Sequence, residues 1–458
     1  MSEFRVYLRE APKNPDWRMP LIAELDEYNS VEAIIRHLAI GSFTIEMPSS
    51  STQARLIKPG RGVVIFIEGQ TTPVFTGPIT SIKSTKTKDD PGTLTVNGSC
   101  DNMWFDERIA RNDAEDTWNR ETEGDWDGEL QIGSTLSLVA ENSAEWIWHL
   151  VLQNFKIPYV DTFNDLSRRI PFMELPNEAP SSATSLPNDD LWKGFSGIHL
   201  KSIAEPVFEL SRRANLDTRF YWDPTTEKIH LRVAPATDKS GTVVFDEQVG
   251  NLVGQQIVSE APSATRVTLS GATPTDANPR RYYRYVKNNL HNPPGWSDPG
   301  WGREAIEAYW NRTTEAYADV RDTKWHPNVV GGVMPEPPNN SVEDLKFDTA
   351  ATVYFVENGV KGQISLDVQD IPTCTFGVHY GIGNVVRVLI DTSILPPNIP
   401  DSDGVLRQQV QEVRLGCKAE EMWTIKPTIG TESSSSTPYV YRELRRLRRL
   451  VEKTNERI

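Results

Sequence analysis

Cysteine is scarce in this sequence: Cys100, Cys374 and Cys417 are the three in 458 residues, and no two form a CxxC pair. That excludes a disulfide framework and the common zinc-knuckle and thiol-redox spacings, and predicts synthesis in a reducing cytoplasm. Long apolar runs are missing too. No stretch reaches the ~18 consecutive apolar residues of a membrane helix, and the opening MSEFRVYLRE carries charges where a signal peptide has its apolar segment. A soluble, unexported chain is expected. Positive charge is in deficit, with 63 acidic against 48 basic side chains and a formal net charge of −15. Sequence-independent nucleic-acid binding draws its free energy from phosphate neutralisation and is disfavoured by that balance.

Motifs that carry chemistry are also lacking. There is no HExxH and no GxxxxGK[ST], and none of the seven histidines lies four residues from another. Gly381-Ile382-Gly383 lacks a third glycine and precedes a predicted strand, so it reads as a tight turn. Lys58-Pro59-Gly60-Arg61-Gly62 is basic and glycine-rich, but it opens a strand where a phosphate cradle would open a helix. Asp125-Trp126-Asp127-Gly128-Glu129 and Asp401-Ser402-Asp403-Gly404 each hold a fragment of a calcium loop without its remaining ligands, and both suit turns. No catalytic residue, cofactor or metal site is predicted, and the chain reads as a non-enzyme.

What the sequence does hold is 13 tryptophans, 32 prolines and 29 glycines, a composition of many short elements with large side chains at their joints. Phe43, Ile45 and Met47 alternate with Thr44 and Glu46, and Val63, Ile65 and Ile67 alternate around Phe66. With further strands at 79–83 and 94–97, and Gly/Pro turns between them, a small barrel or sandwich is expected over 1–113. Over 142–155 the period changes. Ala144, Ile147, Trp148, Val151, Leu152 and Phe155 mark one face of a helix that Asn142 and Glu145 can cap. A second helix is expected from Ser202, with Glu205 as its capping partner, leading into a hairpin that buries Ile229, Leu231 and Val233. Strands follow at 242–245, 251–258, 265–270 and 281–286, then a helix over 303–320. Alternation returns at 352–356, 362–368, 384–390, 408–415 and 421–426, which predicts a second barrel over 346–430.

The fold class expected is therefore mainly β with α insertions. Its parts are a β-barrel-like domain at 1–113, a helical insertion with exposed loops at 114–200, a mixed α/β domain at 201–345, a second barrel-like domain at 346–430, and a Ser-rich linker with a terminal helix at 431–458. That last helix has the sharpest pattern in the chain. Val440, Leu444, Leu447, Val451, Thr454 and Ile458 are spaced 4, 3, 4, 3, 4, a heptad seam with Leu444 and Val451 at a and Leu447 at d. Glu443 at g and Arg448 at the next e have the geometry of an interchain salt bridge in a parallel coil. A seam this short is marginal alone and needs partner helices.

Two aromatic groups are candidate binding surfaces. Trp296, Trp301, Trp310 and Trp325 are candidates for a sugar-stacking or partner surface, with packing at a domain joint as the plainer reading. Arg280-Arg281-Tyr282-Tyr283-Arg284-Tyr285 suits stacking on single-stranded nucleic acid. Its plainer reading is an alternating strand with Tyr282 and Arg284 on one side and Arg281, Tyr283 and Tyr285 on the other, pairing with local carboxylates.

The order of elements resembles the baseplate hub or tail-tip minor tail proteins of long-tailed actinobacterial siphophages. The resemblance rests on Arg5-Val6-Tyr7-Leu8, on Tyr28-Asn29-Ser30-Val31, and on Gly41-Ser42-Phe43-Thr44-Ile45-Glu46-Met47-Pro48. It continues through 56–69 with Phe75-Thr76-Gly77-Pro78-Ile79, the helix and hairpin of 202–233, and Phe245-Asp246-Glu247-Gln248-Val249-Gly250-Asn251-Leu252, covering about 1–290. It implies a structural homotrimer at the virion tail tip, made in the bacterial cytoplasm, whose two barrel-like domains alternate around a pseudo-sixfold ring. Such a ring adapts the sixfold tail tube to a threefold tip and helps close or gate the genome-exit channel. The implied partners are the distal tail protein, the tape measure protein and other tail-tip or fibre proteins, with nucleic acid only as the genome in transit. The rival reading is a cell-wall glycan-binding or glycan-hydrolysing protein that uses the Trp-rich 291–325 region.

Overall fold

A computed structural model describes residues 4–87, 92–109, 142–156, 170–176, 202–271, 282–289, 292, 295–297, 302–320, 337, 341–358, 361–369, 371–389, 406–419 and 421–429. The chain opens with seven strands: β1 (Phe4–Arg9), β2 (Leu21–Leu25), β3 (Ser30–Arg36), β4 (Ser42–Pro48), β5 (Gly62–Ile67), β6 (Phe75–Thr85) and β7 (Thr93–Ser99). In β4 the alternation buries Phe43, Ile45 and Met47 and leaves Glu46 exposed, as the pattern requires. β6 serves two neighbours. Its residues 75–78 pair with β5, and from Ile79 onward it pairs with β7 through a register shift between Ile79 and Ser81 that bends the strand. Gly77, two residues before that shift, sits where any Cβ would collide with the Ser99 carbonyl.

The next elements are α1 (Met103–Asp106), α2 (Ser143–Val151), β8 (Met173–Glu174), α3 (Ala204–Arg213), β9 (Leu216–Asp223) and β10 (Lys228–Pro235). Asn142 caps α2 as expected, accepting the Glu145 N–H at 2.9 Å. The capping box expected between Ser202 and Glu205 does not form: Ser202 is held in a bridge to Ile109, its hydroxyl donates to Asp106 and accepts the Ala204 N–H at 3.2 Å, and the helix begins at Ala204. Ile147, Val151 and Phe155 pack with Val207, Leu210, Phe220 and Trp222 in a core of their own, against the small sheet β8-β10-β9.

The remaining elements are β11 (Val244–Phe245), β12 (Leu252–Glu260), β13 (Arg266–Ser270), β14 (Tyr283–Lys287), α4 (Ala305–Tyr309), β15 (Glu315–Asp319), α5 (Val342–Asn358), β16 (Lys361–Val368), β17 (Val385–Val388), β18 (Leu406–Lys418) and β19 (Thr424–Ile429). β18 pairs antiparallel with β3, from Glu412 opposite Arg36 to Lys418 opposite Ser30. The early and late β regions thus form one 13-stranded sheet, ordered β12-β16-β19-β18-β3-β4-β7-β6-β5-β1-β2, with β17 and β11 branching from β18. Their core is shared: Val31 and Ile45 from the first region lie with Val413 and Leu415 from the last.

Three expectations are corrected here. The two barrel-like regions do not close on themselves, because alternation fixes which face of a strand is buried and not which strand lies beside it. The strand expected at 352–356 lies within α5. Its β-branched and aromatic residues read as strand, but Phe347, Ala351 and Phe355, four residues apart, form a buried helical stripe against β13. The helix expected over 303–320 stops at Tyr309, and β15 follows with exposed Glu315, Tyr317 and Asp319 alternating with Ala316 and Ala318. Alanine suits either period, and sheet pairing with β13 decides the outcome.

Candidate functional site

Two places in the fold combine polar chemistry with defined geometry: a buried joint beside the large sheet, and the outer face of the sheet β14-β13-β15. Among the described residues no cluster of three His, Cys, Asp or Glu side chains is placed to hold a metal ion. Among the described residues no helix is long and apolar enough to cross a membrane.

The joint centres on Asp101, fully buried just after β7. Arg9 of β1, itself 2% exposed, donates to both carboxylate oxygens, Nη1 to Oδ2 at 3.0 Å and Nη2 to Oδ1 at 2.7 Å. The Thr76 hydroxyl of β6 donates to Oδ2 at 2.5 Å and accepts the Trp222 N–H of β9 at 3.2 Å. Next door, Asn102 accepts the Phe220 N–H at 2.9 Å and donates to the Ala39 carbonyl at 3.1 Å. The large sheet and the β9–β10 hairpin are therefore stitched by hydrogen bonds that satisfy a buried ion pair, the condition under which such a pair is tolerated.

A cavity of about 400 Å³ opens beside this joint, lined among others by Arg36, Asn102, Arg219, Phe220, Asp223 and Arg232. Arg219 and Arg232 both approach Asp217, at 3.6 and 2.9 Å, and Arg36 donates to Glu412 at 2.8 Å. His37, 5% exposed, has its pKa pushed down to about 4, mainly by burial, with Asp217 opposing and Arg212 and Arg219 reinforcing the shift. Burial likewise pushes the Cys100 thiol up to about 11, which makes it a poor nucleophile. These are properties of a fixed joint rather than of a reacting centre.

The second place is a three-stranded sheet with α5 against one side. Tyr282 is buried with Phe347, and Arg284 reaches Asp344 and Asp348 of α5. Tyr283, Tyr285 and Tyr317 are 57%, 48% and 55% exposed. Across the strands Thr268 stands between Tyr285 and Tyr317, Ser270 between Tyr283 and Asp319, and Arg266 between Lys287 and Glu315. The Tyr285 hydroxyl donates to Glu315 Oε1 at 3.0 Å, and the Tyr317 hydroxyl donates to Ser270 Oγ at 2.7 Å. Arg266 is anchored from beneath by fully buried Glu307, Nε to Oε1 at 2.7 Å, which holds the Arg266 pKa above its ordinary value.

Of the tryptophans singled out in the sequence, Trp296 and Trp310 are described and both are half-buried. Trp296 Nε1 donates to the Arg303 carbonyl at 3.3 Å, and Trp310 meets Tyr309 edge-on with 5.3 Å between ring centroids. Trp301 and Trp325 lie outside the described residues, as do the seam positions Val440, Leu444, Leu447, Val451, Thr454 and Ile458 and the pair Glu443 and Arg448. The tyrosine strand follows its alternating reading, with Tyr282 and Arg284 toward α5 and Tyr283 and Tyr285 outward. Tyr317 escaped notice because its segment was expected to be helical. The Arg9–Asp101 pair has no sequence signal, since its members stand 92 residues apart and belong to no motif.

No curated protein matches the sequence. Among solved structures, the chain is similar to the 43 kDa tail protein of prophage MuSo2 from Shewanella oneidensis, at 10% identity and a TM-score of 0.46, covering 93% of this chain and 98% of that one. It is similar to a tail protein from Neisseria meningitidis MC58, at 12% identity and a TM-score of 0.46, covering 94% and 96%. Prophage tail protein gp18 from Listeria monocytogenes EGD-e aligns at 9% identity and a TM-score of 0.46, covering 97% and 99%. The sequence profile described as Siphovirus ReqiPepy6 Gp37-like protein matches residues 5–431, which is nearly the whole chain. The chain belongs to this siphovirus protein family.

Proposed function

We propose that this structural phage tail protein is a trimeric tail-tip or baseplate hub, which adapts the sixfold tail tube to a threefold tip and helps gate the genome-exit channel. The observation that carries the reading is the large sheet with a free edge at each end. Among the described residues β2 and β12 each pair on one side only, and they expose Leu21 and Ile22 at one end and Val253 at the other. An unpaired strand edge is a template for another strand. Two different edges on one chain suit head-to-tail contacts, which close into a ring when the rotation permits.

In this proposal the ring-forming body is the large sheet, built from 1–113 and 346–430 together with β12. The heptad positions Leu444, Leu447 and Val451 join the three terminal helices, and Glu443 with Arg448 sets their parallel register. The distal tail protein, the tape measure protein and fibre proteins are the partners. The rival, a cell-wall glycan-binding or glycan-hydrolysing protein that uses the Trp-rich 291–325 region, gains no support from Trp296, whose indole N–H is tied to the Arg303 carbonyl, or from Trp310, whose ring meets Tyr309.

Native mass measurement over a concentration series, on the full chain and on a version ending at Ser436, tests the proposal. A trimer that dissociates on removal of the terminal helix is expected. A dimer, or a monomer that stays monomeric on isolated tail tubes, overturns it.

A further inference from the structure

Among the described residues, three of the four exposed tyrosines lie on the outer face of β14-β13-β15. A tyrosine on a strand ordinarily stands away from the sheet or tucks its ring into the core. Here the Tyr285 hydroxyl, on β14, reaches Glu315 on β15, which lies on the far side of β13. Its ring therefore runs across the middle strand. Tyr317, on β15, is tied in the same way to Ser270 on β13. Both rings are laid along the sheet and fixed at their tips, each with about half of its surface open to solvent. Tyr283 adds a third exposed ring on the same face, two residues from Tyr285. The Cα atoms of Tyr285 and Tyr317 flank Thr268 and are two strand spacings apart, roughly 10 Å.

Among the described residues the charges on this face balance. Arg266 and Lys287 stand against Glu315 and Asp319, and all four are engaged: Arg266 with Glu307, Lys287 with the Gly302 carbonyl at 2.8 Å, Glu315 with Tyr285, and Asp319 with Ser270. Such a face offers a polyanion no surplus of positive charge, and its carboxylates repel phosphates. A purely apolar partner would bury these polar groups at a cost. The complementary ligand is uncharged and flat, has polarised C–H groups for the electron-rich ring faces, and has hydroxyls for the carboxylates and for Thr268. The geometry points to this face as a stacking platform for a neutral, linear polysaccharide, held by Tyr283, Tyr285 and Tyr317. It is a binding surface with no part in cleavage, and it does not depend on the hub assignment.

The test is binding of the purified full chain to an array of neutral oligosaccharides built from hexoses, pentoses and N-acetylhexosamines, with teichoic acid as the anionic control. Binding to at least one neutral glycan is expected, weakened about tenfold or more by Tyr285→Ala with Tyr317→Ala. The pair Tyr285→Phe with Tyr317→Phe keeps the rings and is expected to retain most of the affinity, which separates stacking from a folding defect. Circular dichroism of each variant confirms the fold. No binding to any neutral glycan, a preference for teichoic acid, or affinity unchanged in the alanine pair would each overturn the inference. Assembly of the same variants into tails is scored separately, so failure of the platform leaves the hub reading standing, and the reverse also holds.

Discussion

The 13-stranded sheet and the small tyrosine-bearing sheet are both β-structure, yet their cores differ greatly in extent. The large sheet buries apolar residues from both regions of the chain, joined where β18 lies beside β3. Among the described residues the small sheet rests on six buried ones, Val267, Leu269, Tyr282, Phe347, Ala351 and Phe355, supplied by itself and α5. Stability in the first is therefore a property of the whole chain, and in the second it is local. A face that displays three tyrosines to solvent adds little to folding, and it sits on the part of the molecule whose disturbance need not unfold the rest.

The sharpest way to break this comparison is to end the chain at residue 405, which removes β18 and β19. Complete loss of cooperative unfolding in the first seven strands is expected, because Val31, Ala33 and Ile35 lose the strand that pairs with β3. A truncated chain that melts with an unchanged midpoint would show two independent sheets. A smaller loss follows from Asp101→Ala, which strands the buried Arg9 guanidinium and is expected to cost about 3–5 kcal/mol in urea unfolding. Arg9→Met with Asp101→Leu should recover most of that loss, since no charge is then left unpaired.

Phe347→Ala sharpens the contrast from the other side. It opens a cavity in the six-residue core worth about 3–4 kcal/mol, and amide exchange should then accelerate in β13 while the amides of β3 and β4 stay protected. Equal acceleration in both sheets would mean that they unfold as one unit.

The last effect depends on pH. His37 titrates near 4 when folded, against an ordinary 6.5. Between those values the unfolded chain binds a proton that the folded chain refuses, so stability falls as pH drops from 6.5 to 4, by about 3 kcal/mol, and His37 contributes no pH dependence above that window. His37→Leu should flatten the acid side of the stability profile measured by urea unfolding at pH 7 and pH 5.

Much of this fold is legible in the sequence wherever periodicity and burial agree. β4, β5 and the hairpin β9–β10 appear where their alternation puts them, and Asn142 caps α2 as its spacing to Glu145 requires. Two segments misled for opposite reasons. Thr352-Val353-Tyr354-Phe355-Val356 has strand composition but belongs to a helix selected by the Phe347, Ala351, Phe355 stripe. Glu315-Ala316-Tyr317-Ala318-Asp319 has alanines that suit a helix, but it pairs with β13. The pairing of β18 with β3 had no local signal, since register across some 376 residues is a tertiary fact. The same holds for the Arg9–Asp101 joint. The tyrosine face was half legible: the β14 residues announce themselves, and Tyr317 joins them only through the parallel strand β15.

Immunogold electron microscopy of intact virions, with antibody raised against the purified chain, tests the proposed place at the tail tip most directly. Label confined to the distal end of the tail, at three copies per particle by quantitative mass spectrometry, is the predicted result. Label spread along the tube, or a copy number that is not a multiple of three, would contradict it.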